Sequence, residues 1–538
     1  MRMLAVRDRG ASVRAATRAA QIRAARGGNS PALKSGPAIP LDRGRTIMFY
    51  LDDYHMTPAS VQRVKEALLQ FVERGIRQND QAAIFSASGQ LQFMQQLTSE
   101  KSVLRAAINK FSYRNFLSPD SGRTQMSESE AIAITREDRR VLDYFVDQVM
   151  RESEPLRRTN TNSPVPPNTA TARSRSQAEA SVKLRARQIV EQTVNVSASS
   201  LAGLENLIRS SGQLDWRKVL IVISDGFPLN LGYQSLDLQR VTDAAAHAGV
   251  VICSIDSGGL LSGNVDSSRK TAFDVTGRLA GTEAGSLDGR QKILHDLAVG
   301  AGGTATLNSN ALPDTINAIL AQTADYYLIA WRPQDNDLKQ GKPQGFAVQI
   351  VSRPDLSVRL RSGFSLDRPQ PLDKSKASEK KEKGDALNRA LHGMFPVTDL
   401  PVALSLGYTD SADRNLSLVA TVEVPREAVE LKAGADSELE VLGVAINVQG
   451  KAEAAFDQSL TITADAERII YNHELKVQPG LYQVRVAVRD KKGRIGSAIQ
   501  WIDLPLIKGG DLLLSSVFVG DFNSSDNLRI SGTHRFLP

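Results

Sequence analysis

Cysteine is almost absent. The single thiol, Cys253 in 538 residues, excludes an internal disulfide and any zinc site that needs two thiolates. It sits in the apolar run Val250-Val251-Ile252-Cys253, the setting of a buried inert thiol rather than a nucleophile. No stretch approaches the ~18 to 20 consecutive apolar residues that cross a bilayer, so no transmembrane segment is expected. Met1 to Arg26 is rich in Ala and Arg, yet lacks the apolar core of ~7 to 15 residues that marks a secretory signal. Acid is scarce there as well. Residues 1–45 hold ten Lys or Arg against two Asp or Glu, a net +8, so the rest of the chain carries −1 of its total of +7. The basic balance therefore belongs to an N-terminal arm, and nucleic acid is not expected as the main partner. A solvated, disordered tail is the plain reading of residues 1–44. An organelle presequence, an arm for anionic surfaces and a start codon set too far upstream share the same composition.

The signatures of common enzymes are missing too. There is no phosphate loop of the Gly-x-x-x-x-Gly-Lys-Ser/Thr type, no Gly-x-Ser-x-Gly elbow and no His-Glu-x-x-His pair. Gly300, Gly302 and Gly303 in VGAGGTAT follow an expected helix rather than a strand, so they read as a helix C-cap and turn, not a dinucleotide fingerprint. His295-Asp296 falls on the same expected helix, where a surface or packing role outweighs catalysis.

What is present is ordinary globular composition, 41% apolar and 23% charged, in a chain longer than one core usually organises. TIMFYL (46–51), QAAIFS (81–86), KVLIVIS (218–224) and residues 249–255 read as strands buried on both faces, and 91–94 and 326–331 as further strands. Helical spacing recurs over 58–75, 99–111, 236–247, 291–299 and 312–322. This alternation predicts an α/β domain over 45–365, a Rossmann-like doubly wound and mainly parallel sheet, closed by strands at 345–351 and 358–360. Residues 127–216 break the rhythm as a helical insertion, in two stretches flanking the Pro/Asn/Thr-rich 160–171; residues 155–176 are expected to be flexible. A Lys/Glu/Ser-rich segment, 366–392, reads as a charged linker. Short alternating runs with turns at 478–480 and 490–493 predict an all-β, sandwich-like domain over 393–538.

Open α/β sheets place ligands at the carboxyl ends of their strands. Asp52 and Asp53 follow the first strand of this sheet and Asp225 follows KVLIVIS. If those strands are neighbours, the carboxylates converge with the Thr57 hydroxyl into an oxygen set for Mg²⁺, Mn²⁺ or Ca²⁺, and adjacent carboxylates repel without a cation. The plainer alternative makes Thr57 a helix cap and Asp225-Gly226 a turn.

Taken in order, FYLDDYHMTPASVQRVKEALLQFV, KVLIVISDGFP, LAVGAGGTATL, DYYLIAWRP and VRLRSGFS resemble a von Willebrand factor type A (VWFA) domain. More specifically, they resemble the bacterial VWFA-related branch often seen in Acidobacteria. The resemblance spans Arg45 to Ser365, and the β-rich region after it is similar to an extension that some members carry. It implies protein binding through a metal-ion-dependent adhesion site, in which an Asp-x-Ser-x-Ser motif, a Thr and a later Asp hold the cation. The later Asp corresponds to Asp225 and the Thr to Thr124 in SGRTQMSE. The first motif is altered: Tyr54 and Met56, or His55 and Thr57, stand at its serine positions. The expected function is a non-enzymatic, adhesion-type protein-binding module, with Asp52, Asp53, Thr57, Thr124 and Asp225 as the metal set. A metal-dependent hydrolase and anionic-surface or nucleic-acid binding by the Arg-rich start are the alternatives. The resemblance also implies an extracytoplasmic location.

Overall fold

The computed structural model describes residues 2–7, 44–77, 79–116, 124–157, 167–214, 218–227, 234–260, 277–279, 282–323, 325–330, 379–410, 416–429, 437–463, 469–506, 515–516, 529–530 and 534–535. Within the stretch expected to be a tail, β1 (Arg2–Arg7) is a strand. The strands expected at 345–351 and 358–360 lie outside the described residues.

The expected alternation forms a five-stranded parallel sheet. Its strands are β2 (Thr46–Leu51), β3 (Gln81–Ser86), β4 (Lys218–Ser224), β5 (Val250–Asp256) and β6 (Ala305–Thr306), in the order β3-β2-β4-β5-β6. Helix α1 (Pro58–Arg74) connects β2 to β3, starting on Thr57 as N-cap with Pro58 in its first turn. Helices α2 (Lys101–Lys110), α6 (Gln234–Ala248), α7 (Thr282–Gly300) and α8 (Leu312–Gln322) follow in chain order around the insertion. Side chains alternate across a strand, and both faces are covered. Ile47, Phe49 and Leu51 pack with Val64, Leu68, Ile316 and Leu320 of α1 and α8. Met48 and Tyr50 pack with side chains of the insertion, α6 and α7, among them Leu204, Val241 and Leu297. That two-sided burial is why TIMFYL and KVLIVIS are unbroken apolar runs.

The insertion departs from its two-stretch expectation. It contains α3 (Glu128–Thr135), α4 (Arg139–Arg157) and α5 (Pro167–Ser211). Ser127 and Glu130 close a reciprocal capping box at the start of α3, which fixes that helix independently of the sheet. Helix α5 has 45 residues, about 67 Å at 1.5 Å per residue, and begins at Pro167, inside the 155–176 stretch. Its first half builds a separate core with α3 and α4 through Ala178, Val182, Ala186, Ile134, Leu142 and Phe145. Its second half lies on the sheet through Leu204, Leu207 and Ile208.

Two other expectations are corrected. Leu91 to Met94 is not a strand: Gln92–Met94 is a 3₁₀ turn. Gln95 Oε1 accepts from the Ser86 N–H at 3.1 Å, and Thr98 bridges Ala82, so β3's outer edge is capped locally. The strand expected at 326–331 forms as β7 (Asp325–Ala330), but it pairs antiparallel with β1 in a separate two-stranded sheet.

Part of the charged linker is ordered as α9 (Glu379–His392). Leu387, Ala390 and Leu391 pack on Val444, Ile446 and Ala487, so the helix covers the outer face of the β-rich region that follows. That region comprises β8 (Ala403–Asp410), β9 (Leu416–Val424), β10 (Ser437–Asn447), β11 (Ala452–Ile462), β12 (Ile469–Lys476), β13 (Gly480–Asp490) and β14 (Ile495–Leu504). They form two antiparallel sheets, β11-β10-β13-β14 and β12-β9-β8. Leu418, Ala420 and Val422 of one and Leu439, Val441, Val484 and Val486 of the other share one core. The expected turn at 490–493 closes β13 to β14 with Gly493 at φ +83°. Trp501 packs with Met94, Val103 and Ala107, and Gln483 Nε2 donates to Gln96 Oε1 at 2.9 Å, tying the β-rich region to the α/β region.

The Gly302-Gly303 turn behaves as expected for a helix end. Gly302 has φ +76°, and the Gly303 N–H donates to Ala298 O at 2.9 Å. A Cβ on Gly303 would lie 1.9 Å from Ile252 O, inside the β5 backbone. Gly303→Ala should therefore cost about 1–3 kcal/mol through overpacking, read as a lower urea midpoint. His295→Ala on the exposed face of α7 should shift it by no more than about 0.5 kcal/mol.

Candidate functional site

The chain leaves β2 first for β3 on one side and later returns for β4 on the other. The carboxyl ends of β2 and β4 therefore flank a topological switch point, where open α/β sheets form their ligand crevice. Asp52 and Asp225 stand at those two ends, and the Asp52 N–H donates to Ile223 O at 2.9 Å.

Asp52 is fully buried and each carboxylate oxygen is engaged. Ser200 Oγ donates to Oδ1 at 2.8 Å, Ser224 Oγ donates to Oδ2 at 2.7 Å, and His55 Nδ1 meets Oδ2 at 2.7 Å. The other ring nitrogen, Nε2, lies 2.9 Å from Ser197 Oγ. Ser197 and Ser200 are three residues apart on α5, so one helix face carries both to the same loop. Burial pulls the His55 imidazole down, but the charge and hydrogen bond of Asp52, with Glu128, outweigh it and the net shift is upward.

Asp53 points to a different network. The Ser88 N–H donates to Oδ1 at 2.9 Å, Gln90 Nε2 donates to Oδ2 at 2.6 Å, and Ser88 Oγ also donates to Oδ2. Burial pushes its carboxyl above the usual range, against the pull of those hydrogen bonds. The adjacent carboxylates diverge and each has its own donors, although the Asp52 charge still adds a small upward push to the Asp53 carboxyl.

Asp225 is half-buried at the N-terminal end of α1. The Thr57 N–H and Ser60 Oγ each donate to Oδ2 at 2.8 Å, and Ser257 Oγ donates to Oδ1 at 2.7 Å. The Thr57 hydroxyl caps α1 by accepting from the Ser60 N–H at 3.2 Å. The capping and site readings of Thr57 therefore coexist in one residue. Arg63, one turn on, donates from Nη2 to Ser60 Oγ at 3.2 Å, Ser257 O at 2.6 Å and Gly258 O at 3.0 Å. Gly226 at φ +91° supplies the expected turn after Asp225, and a Cβ there would come within 2.6 Å of Arg290 Cβ.

The structure thus joins Thr57 to Asp225, links Asp52 to the same strand ends through Ser224, and turns Asp53 away. Thr124 takes no part: its hydroxyl donates to Glu152 Oε1 at 3.0 Å, and its carbonyl accepts from Arg185, within the insertion. Ser60, Arg63, Ser197, Ser200, Ser224 and Ser257 were not singled out from sequence, and His55 was named only as standing at a serine position of the altered motif. Ser257 had a readable signal, since it follows β5 as Asp225 follows β4. Ser197 and Ser200 had none, because only the docking of α5 brings them to Asp52.

Two chemistries can be tested against this geometry. Among the described residues, no group of three or more His, Cys, Asp or Glu side chains is placed to hold a metal ion. At Asp225 a cation would find one carboxylate whose oxygens already accept three hydrogen bonds, with the Arg63 guanidinium one hydroxyl away. Hard divalent cations favour several anionic or carbonyl oxygens, so this donor set fits a resident cation poorly. The Asp52–His55–Ser197 chain has the connectivity of a hydrolase triad. Ser197, however, is 1% exposed and lies inside α5, where backbone N–H groups are consumed by the helix. Fully buried Phe227 also sits against the imidazole, ring centroids 5.0 Å apart. Among the described residues, neither a path for substrate nor an oxyanion hole is placed at this serine.

No family model and no curated protein matches the chain. Among solved structures, the ApaA protein from Bordetella pertussis aligns over 20% of this chain and 94% of its own length, at 10% identity and a TM-score of 0.16. A Northeast Structural Genomics Consortium target aligns over 23% of this chain and 97% of its own, at 13% identity and a TM-score of 0.15. Likenesses this slight carry no argument about fold or function.

Removing the Asp52 carboxylate strands a buried imidazole and two hydroxyls. Asp52→Ala should cost about 3–5 kcal/mol, measured by urea unfolding. The raised pKa of His55 means that folding favours its charged form. The resulting stability is present in full below its ordinary value of 6.5 and is lost as pH rises through the higher folded value. The stability gap between wild type and His55→Gln should therefore narrow with rising pH across that window. A gap that widens would show that the neutral ring is the bound form.

Proposed function

We propose that this chain is a non-enzymatic protein-binding module, whose recognition surface is the carboxyl end of the parallel sheet between β2 and β4. The observation that carries this reading is the half-buried Asp225 at the switch point, oriented by Thr57, Ser60 and Ser257 beside Arg63. A carboxylate and a guanidinium held this way offer a fixed acceptor and donor to a partner's polar groups, with little entropy left to lose on binding. The adhesion-type role implied by the VWFA resemblance supports the same location. In the form proposed, hydroxyls and Arg63 take the part that a cation takes in metal-dependent adhesion. The β-rich region serves as a spacer or second surface, and the setting is extracytoplasmic.

Two measurements test this. In calorimetric titration of metal-stripped protein with Mg²⁺, Mn²⁺ and Ca²⁺, no saturable heat is expected; saturable binding abolished by Asp225→Ala would overturn the metal-independent form. In affinity capture from the source organism's extract, a polypeptide should be retained by wild type and by Asp237→Ala on α6, lost with Asp225→Ala, and unaffected by chelator. Retention unchanged by Asp225→Ala would refute the proposed surface.

A further inference from the structure

Away from the sheet end, α4, α5 and the segment leading into α7 enclose an open cleft of about 320 Å³, lined by Arg139, Arg140, Asp143, Asp147, Arg175 and Arg278. Every lining side chain is charged, four guanidiniums against two carboxylates, and they come from three separate segments of the chain.

The four arginines divide into two kinds. Arg175 bridges Asp143 at 2.8 Å and Asp147 at 3.1 Å, and Arg278 also holds Asp147, at 2.7 Å. These pairs fasten α4 to α5 and to the segment before α7, and they use up both lining carboxylates. Arg139 and Arg140 are far less engaged, with side chains 73% exposed. Among the described residues Arg139 reaches Glu179, at 3.6 Å, and that carboxylate already accepts from Lys183 at 2.6 Å. Arg140 folds back onto Asp138, two residues earlier, at 3.2 Å. Exposed pairs of this kind contribute only about 0–1 kcal/mol, so a better acceptor displaces them easily. Both arginines also open α4, whose first turn contains no acidic residue, and cations at a helix N-terminus oppose its dipole.

We propose that this cleft binds a phosphomonoester dianion. The lining carries two more guanidiniums than carboxylates, and with the neighbouring Asp138, Glu179 and Lys183 counted one positive charge remains in excess, which favours an anion. The planar guanidinium fork is suited to its oxygens, which accept paired charge-assisted hydrogen bonds. A carboxylate offers two acceptor oxygens where a phosphate group offers three, so it engages fewer of the guanidinium donors. Arg139 and Arg140 close on the phosphate, while Arg175 and Arg278, anchored by Asp143 and Asp147, shape the floor. The cleft shares no residue with the Asp225 surface, so the two proposals stand or fall separately.

The test is calorimetric titration of the full chain with inorganic phosphate, and with a phosphoserine peptide alongside its unphosphorylated counterpart. Saturable binding is expected, and for the phosphopeptide it weakens as pH falls through the phosphoserine second pKa of about 6. It should weaken by about tenfold or more in the Arg139→Ala/Arg140→Ala double variant, the loss expected for charge-assisted hydrogen bonds. Because both side chains are exposed, the variant should melt with wild type, and melting curves check this. Tighter binding of the phosphopeptide than of phosphate would assign the source as a phosphorylated protein segment, and the reverse order a free phosphorylated metabolite. Absence of saturable binding by phosphate and phosphopeptide alike overturns the proposal. So does binding undiminished in a double variant that melts normally.

Discussion

A carboxylate buried at the end of a strand cannot be left without donors, because its desolvation costs several kcal/mol even after relaxation. Asp52 is fully buried, and its donors come from three places: Ser224 on β4, His55 on the following loop and Ser200 on α5. One charge thereby fixes the spacing of two strand ends and the seating of the long insertion helix. Tyr50, one pleat earlier, reinforces that seating through a 2.6 Å hydrogen bond from its hydroxyl to Ser200 O. Much of the architecture around the switch point depends on this satisfied charge.

The insertion then has two attachments of different character. Its outer part is held by its own apolar core, and its inner part by apolar contact with the sheet plus the polar ties to Asp52 and His55. Apolar contact tolerates sliding by a turn, whereas hydrogen bonds of 2.8 and 2.9 Å to a buried carboxylate and imidazole do not. The polar ties therefore set the register of α5, and through it the position of α3 and α4 beside the sheet end. Glu128 of α3 meets Arg290 of α7 at 3.2 Å, next to Gly226, which extends the same scaffold towards Asp225.

At Asp225 the balance of charge differs from that of a cation cage. One carboxylate, several hydroxyls and a guanidinium hold one another in place, while the buried Arg63 Nε has no acceptor among the described residues. Such a set is ordered before any partner arrives. Asp53, although adjacent to Asp52, is spent on Ser88 and Gln90 at the end of β3, so the acidic pair that looked like a shared ligand serves two separate loops.

Strand and helix periodicity along TIMFYL, KVLIVIS and the amphipathic stretches by itself determined the α/β alternation, the placement of Asp52 and Asp225 at strand ends, the cap at Thr57 and the change to β-rich structure after the linker. These follow from local rules: which faces are apolar, where a turn is possible and which side chain can cap. Tertiary structure alone decided the rest. It placed Arg2–Arg7 beside Asp325–Ala330, turned Leu91 to Met94 into a 3₁₀ segment beneath a side-chain cap, and made a docked helix of Glu379–His392. It also carried Ser197 and Ser200 to residues some 140 positions away and left Thr124 with Glu152. The physical reason is that a hydroxyl or carboxylate finds its partner by where packing brings it, and hydrogen-bond partners leave no periodic trace in the sequence around them.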